Sequence, residues 1–309
     1  MVRNWLVAGT LALSAMVPMA ALAAQPLVDL AWLKSHQGEA GVVILDASGK
    51  APDFVSGHIP GAVFTDYSQK EGWRVDKKVG DKKVAGLLPD VPHLEKLIGG
   101  LGIGNGDHVV VVSSGKNAAD FGAATRIYWT FKVLGHDNVS VLNGGMAAYL
   151  KDKANPLETG MTTPQPKMFK ARFNPEVLAT TEDVKAALKK GTPLLDSRPE
   201  DQYLGINKSG AVQAYGTLPG AVNVPAMLST VNGGGSMRST EGLGALYAMQ
   251  KVSSDGEVIA FCNTGHWAAL GWFINSEMLG NKKTRMYDGS MTEWTVDPAA
   301  PMVRRVKFD

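Results

Sequence analysis

Cysteine is the residue whose scarcity says most about this chain: it occurs once among 309 residues, at position 262. A single cysteine excludes an intramolecular disulfide and any metal site built from several thiolates. His266 lies near Cys262 in the sequence, but no further ligands follow at the spacing that a metal site needs. We therefore expect neither a bound metal nor another resident cofactor.

An excess of charge of either sign is also missing. The chain has 31 Lys and Arg residues against 29 Asp and Glu residues, a formal net charge of +2. This balance gives no general electrostatic attraction to nucleic acid or to an anionic membrane surface. We therefore expect small-molecule partners that are recognised at a local site, and no nucleic acid.

Long hydrophobic runs are absent as well, with one exception at the N-terminus. Residues 1–23 contain one positive charge, Arg3, then an apolar stretch, and then Ala21-Leu22-Ala23. This pattern predicts a signal peptide cleaved after Ala23 or one residue later, and the alternative is a retained membrane anchor. We expect an exported, periplasmic protein that is free of the membrane after cleavage, with its single thiol in an oxidising compartment.

The rest of the chain contains one unit written twice. Four blocks recur in the same order in both halves, which indicates a gene duplication. Residues 42–48 pair with 193–198, 58–63 with 217–222, 108–113 with 257–262, and 142–149 with 287–294. In this pairing, Ser113 takes the position of Cys262.

The strand-like blocks are apolar on successive residues, as in VVIL at 42–45, VVVV at 109–112 and VIAF at 258–261. Such strands are buried on both faces, as in a parallel sheet covered by helices. Helical patterns lie at 91–99, 118–134, 181–189, 240–250 and 268–279. The alternation predicts an α/β fold with two domains, 25–155 and 176–309, each a parallel sheet flanked by helices on both faces. The proline-containing segment 156–175 is the predicted linker.

Cys262 is predicted to lie at the carboxyl end of a buried strand, in a loop, Cys262–Trp267, that leads into the helix predicted from Ala268. Open α/β sheets place their active sites at this edge. Loop amides and the helix N-terminus direct partial positive charge toward this position, which favours a thiolate. Gly265 allows the loop to curl, because glycine adopts a positive φ readily. The alternative is a buried cysteine with a structural role.

Spacing separates the chemistries that use a thiol in such a loop. A cysteine-based phosphatase needs an arginine six residues after the nucleophile, and that position is Ala268. A thiol protease needs a histidine base, but His266 lies inside the same tight loop. Disulfide exchange normally needs a second cysteine. A thiolate that accepts a neutral sulfur atom and passes it on fits these residues best.

Five motifs together resemble the tandem-domain rhodanese-type sulfurtransferases, which use thiosulfate or 3-mercaptopyruvate, over nearly all of the chain after residue 23. The motifs are LDSR at 195–198, YLG at 203–205, GTLPGAVN at 216–223, the Cys262 loop, and YDGSMTEW at 287–294. The resemblance implies two rhodanese-like domains, with the catalytic Cys262 in the second and an inactive first domain. It also implies a persulfide on Cys262 that carries sulfur from a small anionic donor to cyanide or a thiol.

The resemblance implies roles for residues around Cys262. Arg198 is expected to bind the anionic donor, and the alternative is an ion pair with Asp196. Asp196 is expected to support the end of its strand. The loop residues are expected to surround the persulfide and contact the substrate: Asn263, Thr264, Gly265, His266 and Trp267.

The sequence leaves more than one possibility for the sulfur donor, for the sulfur acceptor and for the class of function. Family members that use thiosulfate carry basic residues just after the cysteine, whereas Asn263 and Thr264 are neutral. His266 and Trp267 are expected to control access, or else to be a polar rim residue and a packing residue against the other domain. The alternative functions are a persulfide carrier that delivers sulfur to a partner protein and, more remotely, a rhodanese fold with an unreactive thiol.

Overall fold

The computed structural model describes residues 24–308, so the signal peptide predicted at residues 1–23 lies outside the described residues. The strands of the first domain are β1 (Leu27–Val28), β2 (Val42–Asp46), β3 (Val63–Phe64), β4 (Val75–Val79), β5 (Lys82–Leu87), β6 (His108–Val112) and β7 (Val139–Leu142). Its helices are α1 (Leu30–His36), α2 (Ala51–Ser56), α3 (Val91–Gly100), α4 (Ala118–Val133) and α5 (Gly145–Tyr149).

Five of these strands form a parallel sheet in the order β1-β7-β6-β2-β3. The successive apolar residues of β6 alternate between two buried clusters, with Val109 and Val111 in one and Val110 and Val112 in the other. Both faces of the sheet are therefore covered, as the pattern predicts. Strands β4 and β5 form a separate antiparallel hairpin, which the sequence did not predict.

The second domain repeats this arrangement. Its strands are β8 (Leu178–Ala179), β9 (Leu194–Asp196), β10 (Val222–Asn223), β11 (Val258–Phe261) and β12 (Thr284–Tyr287), in the parallel order β10-β9-β11-β12-β8. Its helices are α6 (Thr181–Lys190), α7 (Glu200–Leu204), α8 (Thr240–Met249), α9 (His266–Trp272) and α10 (Ser290–Trp294), and α9 continues as a π-helical turn, Phe273–Met278. Read from opposite ends, the two sheets have the same topology, which confirms the predicted fold and repeat.

The chain between the two sheets runs along the first domain. Lys167 N donates to Gly99 O at 2.9 Å, and Arg172 N donates to Leu134 O at 2.9 Å. Asn174 N donates to Val133 O at 2.7 Å. These bonds fix the path of the segment onto the ends of α3 and α4, so the connection is anchored at several points.

The two domains pack together through α4 and α9, and this packing positions the site. Rings of Phe121 and Tyr128 in α4 face Phe273 and Trp272 at centroid distances of 6.4 and 6.2 Å, respectively. One buried cluster contains residues from both domains, among them Cys262. The interface is therefore a continuation of the core, and it holds the Cys262 loop against the first domain. Within the described residues, no helix has the length and apolar character needed to cross a membrane.

Candidate active site

Cys262 directly follows β11, at the carboxyl edge of the second sheet, and its residue is 1% exposed. The loop that it begins is shorter than predicted: it ends at Gly265, and α9 begins at His266 rather than at Ala268. Gly265 has φ +74° and forms the N-cap of α9, which ends the loop early. A Cβ at Gly265 would also lie 2.2 Å from Arg126 Nη1, so the close approach of that guanidinium requires glycine.

The segment that follows β12 clamps the loop. Met291 N donates to Cys262 O at 3.0 Å, and Thr292 donates to Asn263 O through its amide at 2.9 Å and its hydroxyl at 2.7 Å. Ser290 Oγ accepts from the amides of Cys262 at 3.1 Å and Gly265 at 3.2 Å, and donates to Tyr287 O at 2.8 Å. The motif at 287–294 therefore supports the cysteine loop directly.

Ser290 is held in the left-handed region, with φ +49°. For a residue with a side chain this conformation costs of order 1–3 kcal/mol and persists only when the surroundings impose it. The Ser290 hydroxyl accounts for a serine at this strained position, because its oxygen accepts from the amides of Cys262 and Gly265. Sequence reasoning quoted this motif but did not assign Ser290 to the site.

Not all loop amides are used by this clamp. Among the described residues, the amides of Asn263, Thr264 and His266 have no hydrogen-bond acceptor. Free amides of a loop that leads into a helix form a favourable environment for an anion. They leave the loop able to bind a negatively charged sulfur group next to Cys262.

Arg126 of α4 closes the loop from the first domain, and its side chain is fully buried. Its Nη2 forms an ion pair with Asp288 Oδ1 and donates to Gly86 O at 3.2 Å. Asp288 Oδ2 accepts from Leu88 N at 2.7 Å, so the hairpin end and both domains meet here. Nε and Nη1 of Arg126 have no acceptor among the described residues. Neither Arg126 nor Asp288 was predicted as a site residue, because the position of α4 depends on the domain interface.

His266 is bonded to the first domain through both ring nitrogens. Its Nε2 donates to Ala119 O at 2.8 Å, because a carbonyl only accepts, and its Nδ1 accepts from the Tyr67 hydroxyl at 2.9 Å. Burial, with help from the charges of Arg74 and Arg126, lowers the pKa of His266 from its ordinary value to about 4. A neutral ring with both nitrogens occupied is not arranged as a base for Cys262, and it is not a free rim residue either.

Arg198 does not have the predicted exposure to a donor. Its side chain is 1% exposed and forms an ion pair with Asp196, with Nη2 to Oδ2 at 2.6 Å and Nε to Oδ1 at 2.9 Å. Nη2 also donates to Gly216 O at 2.9 Å, while Thr217 Oγ1 donates to Asp196 Oδ2 at 2.7 Å. In this structure Arg198 therefore adopts the alternative, an ion pair with Asp196 at the end of β9, and the supporting role of Asp196 stays a prediction.

The remaining predicted residues lie on different sides of the loop. Asn263 Nδ2 donates to Gln202 Oε1 at 2.8 Å, which ties the loop to α7. Thr264 borders a small cleft beside Gly86 of the hairpin. Trp267 lines a cleft of about 200 Å³ between the domains. Of the five residues predicted to surround the persulfide, Trp267 is thus the one that borders this interdomain cleft. The described residues contain no group of three or more His, Cys, Asp or Glu placed to hold a metal.

Known proteins share both the sequence pattern and the fold. The rhodanese-like domain family matches residues 29–152 and again residues 180–297. Thiosulfate sulfurtransferase of Rattus norvegicus is 33% identical over 282 residues, which cover 87% of this chain and 91% of the rat protein. The sulfur carrier protein TtuD of Thermus thermophilus is 30% identical over 281 residues, which cover 87% of this chain and 93% of TtuD.

A solved structure gives the same result at the level of the fold. SseA, a 3-mercaptopyruvate sulfotransferase of Escherichia coli, superposes with a TM-score of 0.72 at 28% identity, covering 86% of this chain and 98% of the SseA chain. These findings confirm the resemblance drawn from the motifs. The chain belongs to the rhodanese family, with two rhodanese-like domains in tandem, and it is a sulfurtransferase.

Proposed function

We propose that this protein is an exported enzyme that moves a sulfane sulfur from thiosulfate or 3-mercaptopyruvate to cyanide or a thiol through a persulfide on Cys262. The observation that carries the proposal is the arrangement of backbone amides in the Cys262 loop. Cys262 directly follows the central strand β11, and Ser290 bonds two of the loop amides at 3.1 and 3.2 Å. Three further amides have no acceptor among the described residues. Such a loop favours a negative charge on the sulfur.

The reaction balances without a cofactor. The Cys262 thiolate attacks the transferable sulfur of the donor. A new S–S bond forms as the bond between that sulfur and the rest of the donor molecule breaks. Thiosulfate then leaves as sulfite, and 3-mercaptopyruvate leaves as the enolate of pyruvate, which takes up a proton. The acceptor next attacks the outer sulfur of the persulfide, and Cys262 leaves as a thiolate. The free loop amides would bind the charge that the outer sulfur carries between the two steps.

The direct test is a measurement of sulfur on Cys262. The purified protein is incubated with thiosulfate or with 3-mercaptopyruvate, and intact-protein mass spectrometry is expected to detect one added sulfur atom, which cyanide then removes. Steady-state rates with the two donors identify the better one. Cys262→Ser is the matched control, and an equal gain of sulfur by this variant would refute the persulfide at Cys262.

A second candidate function is sulfur delivery to a partner protein. It is favoured by the likeness to the sulfur carrier protein TtuD and by the burial of Cys262. A carrier loads once and turns over slowly with free acceptors, whereas an enzyme turns over repeatedly with donor and cyanide. The ratio of cyanide turnover to single-turnover loading therefore separates the two.

Export rests on residues 1–23 alone. The expected result is a periplasmic protein whose first residue is Ala24 or Gln25, read by N-terminal sequencing after cell fractionation. An uncleaved chain in the cytoplasmic fraction would refute export without affecting the proposed chemistry.

A further inference from the structure

The interdomain cleft beside the Cys262 loop has walls without charge. Ala118 and Ala119 of α4 form one side, and Pro199, Ala226, Met227 and Trp267 of the second domain form much of the other. The polar side chains in the lining are those of Asn117 and Ser197, and no Lys, Arg, Asp or Glu belongs to it. The cleft is thus bounded by methyl groups, proline rings, a thioether and an indole.

The cleft reaches the strand that presents the cysteine. Ser197 N donates to Phe261 O at 2.9 Å, one residue before Cys262, and Ala226 N donates to Ser197 O at 3.1 Å. The nearest arginine in sequence, Arg198, turns away into its ion pair with Asp196 and is 1% exposed. Its charge is therefore already neutralised and unavailable to a molecule in the cleft.

The first domain contains the related cleft, and its chemistry is different. The repeat pairs Asp66 with Pro225, Tyr67 with Ala226, and Ser68 with Met227. The first-domain cleft, of about 330 Å³, is lined by five charged residues: Lys50, Asp53, Asp66, Lys116 and Asp120. The same scaffold position therefore carries charges in the first domain and apolar groups in the domain that contains Cys262.

These walls select a substrate by its charge. A carboxylate or sulfonate that enters a cleft without a cation loses hydration without compensation, which costs several kcal/mol. An apolar group gains roughly 25 cal/mol per Å² of surface removed from water. The loop amides without an acceptor suit an anionic donor, whereas the uncharged walls of the cleft suit a different molecule, the acceptor.

We propose that the cleft binds the acceptor, and that the acceptor is an arylmethyl thiol without a charged substituent, an inference that rests on the proposed function. A cavity of about 150 Å³ holds benzene, so about 200 Å³ accommodates a ring with its thiol group. The acceptor sulfur attacks the outer sulfur of the Cys262 persulfide. The thiol loses its proton to solvent as its sulfur attacks, the bond between the outer sulfur and Cys262 breaks, and Cys262 leaves as a thiolate. The acceptor departs as its own persulfide, and no oxidant or reductant is consumed.

The test compares two thiols that differ by one charge. Cys262 is loaded with thiosulfate, the donor is removed by gel filtration, and loss of the persulfide is followed with phenylmethanethiol or with 4-(mercaptomethyl)benzoate. We expect phenylmethanethiol to react faster by about tenfold or more, because only the benzoate brings an uncompensated charge into the cleft. Cyanide is too small for its reaction to depend on contacts with the apolar walls, so its rate of persulfide removal serves as the reference.

Two matched variants sharpen the comparison. Met227→Lys places a cation in the cleft and is expected to reduce or reverse the preference for the uncharged thiol. Ser68→Lys places the same side chain at the related position of the first domain and is expected to leave the preference unchanged. Equal rates for the two thiols, a faster reaction of the benzoate, or no transfer to either thiol would overturn the inference. Failure of Cys262 to load would instead overturn the proposed function, and this inference with it.

Discussion

The loop that follows β6 and the loop that follows β11 share a backbone clamp and differ in the side chains around it. Met146 N donates to Ser113 O at 2.8 Å, as Met291 N donates to Cys262 O at 3.0 Å. The position of Ser290 is Gly145 in the first domain, with a similar φ of +54°, so the backbone turn is retained without the hydroxyl. The duplication therefore preserved the scaffold, and the chemistry depends on a few side chains placed on it.

The two loops also differ in what covers them. The active loop lies under Arg126, Tyr67 and the hairpin of the first domain. The Ser113 loop lies under the glycine-rich segment of the second domain, where a Cβ at Gly235 would be only 2.1 Å from Gly115 O. That segment comprises residues 232–236, and Gly235 is buried in the interface. Each domain thus closes the loop of the other.

The largest expected effect comes from exchanging the two loop residues. Cys262→Ser is expected to lower cyanide-dependent sulfur transfer by about 10³-fold or more, because the nucleophile is lost. Adding Ser113→Cys is not expected to restore transfer, because Gly145 stands in the position of Ser290, so the hydroxyl clamp is missing, and because Gly235 packs against Gly115 of the Ser113 loop. Steady-state rates and persulfide mass measure both. Restored activity in the double variant would show that the covering segment does not close the first loop.

The two buried aspartates at the ends of β2 and β9 differ in whether a cation pairs with them. Asp196 is paired with Arg198, whereas the related Asp46 has Ser48 in the position of the arginine and leaves its Oδ2 without a partner among the described residues. Burial accordingly raises the pKa of Asp46. Asp196→Asn is expected to destabilise by about 3–5 kcal/mol, because it strands a buried guanidinium. Asp46→Asn is expected to be neutral or stabilising, and urea unfolding of both variants measures the difference.

Part of this architecture was predictable from the sequence. Runs such as the four valines of β6 are local signals of a strand buried on both faces, and the repeat placed Ser113 opposite Cys262. Residues whose role depends on how the domains dock gave no such signal. Arg126 covers the Cys262 loop only because α4 packs on α9, and no spacing within the sequence reports that packing. Arg198 depends instead on contacts within its own domain, because its ion pair with Asp196 and its bond to Gly216 O bury the guanidinium.

Ser290 tests whether the hydroxyl clamp or the backbone turn matters more. Ser290→Gly relieves the cost of φ +49° and removes the hydroxyl that bonds the amides of Cys262 and Gly265. We expect kcat to fall by about tenfold while the free energy of unfolding changes by about 1 kcal/mol or less, because strain relief offsets the lost hydrogen bonds. Asn232→Gly, at an exposed residue with φ +52°, measures strain relief alone. Unchanged kcat in Ser290→Gly would show that the backbone turn suffices.

The smallest effect at neutral pH is expected from substitution of His266, and it concerns the free energy of unfolding and its dependence on pH. Its pKa of about 4 lies below the ordinary value of about 6.5, so between these values the unfolded chain binds a proton that the folded chain does not. The stability it contributes is complete above pH 6.5 and is lost as the pH falls toward 4. The difference in unfolding free energy between wild type and His266→Gln should therefore change by up to about 1.4 kcal/mol per pH unit in this window. Tyr67→Phe removes the hydrogen bond at Nδ1 and leaves the ring buried, so NMR titration should find the pKa of His266 still far below 6.5; a pKa near 6.5 would mean that the hydroxyl, and not burial, keeps the ring neutral.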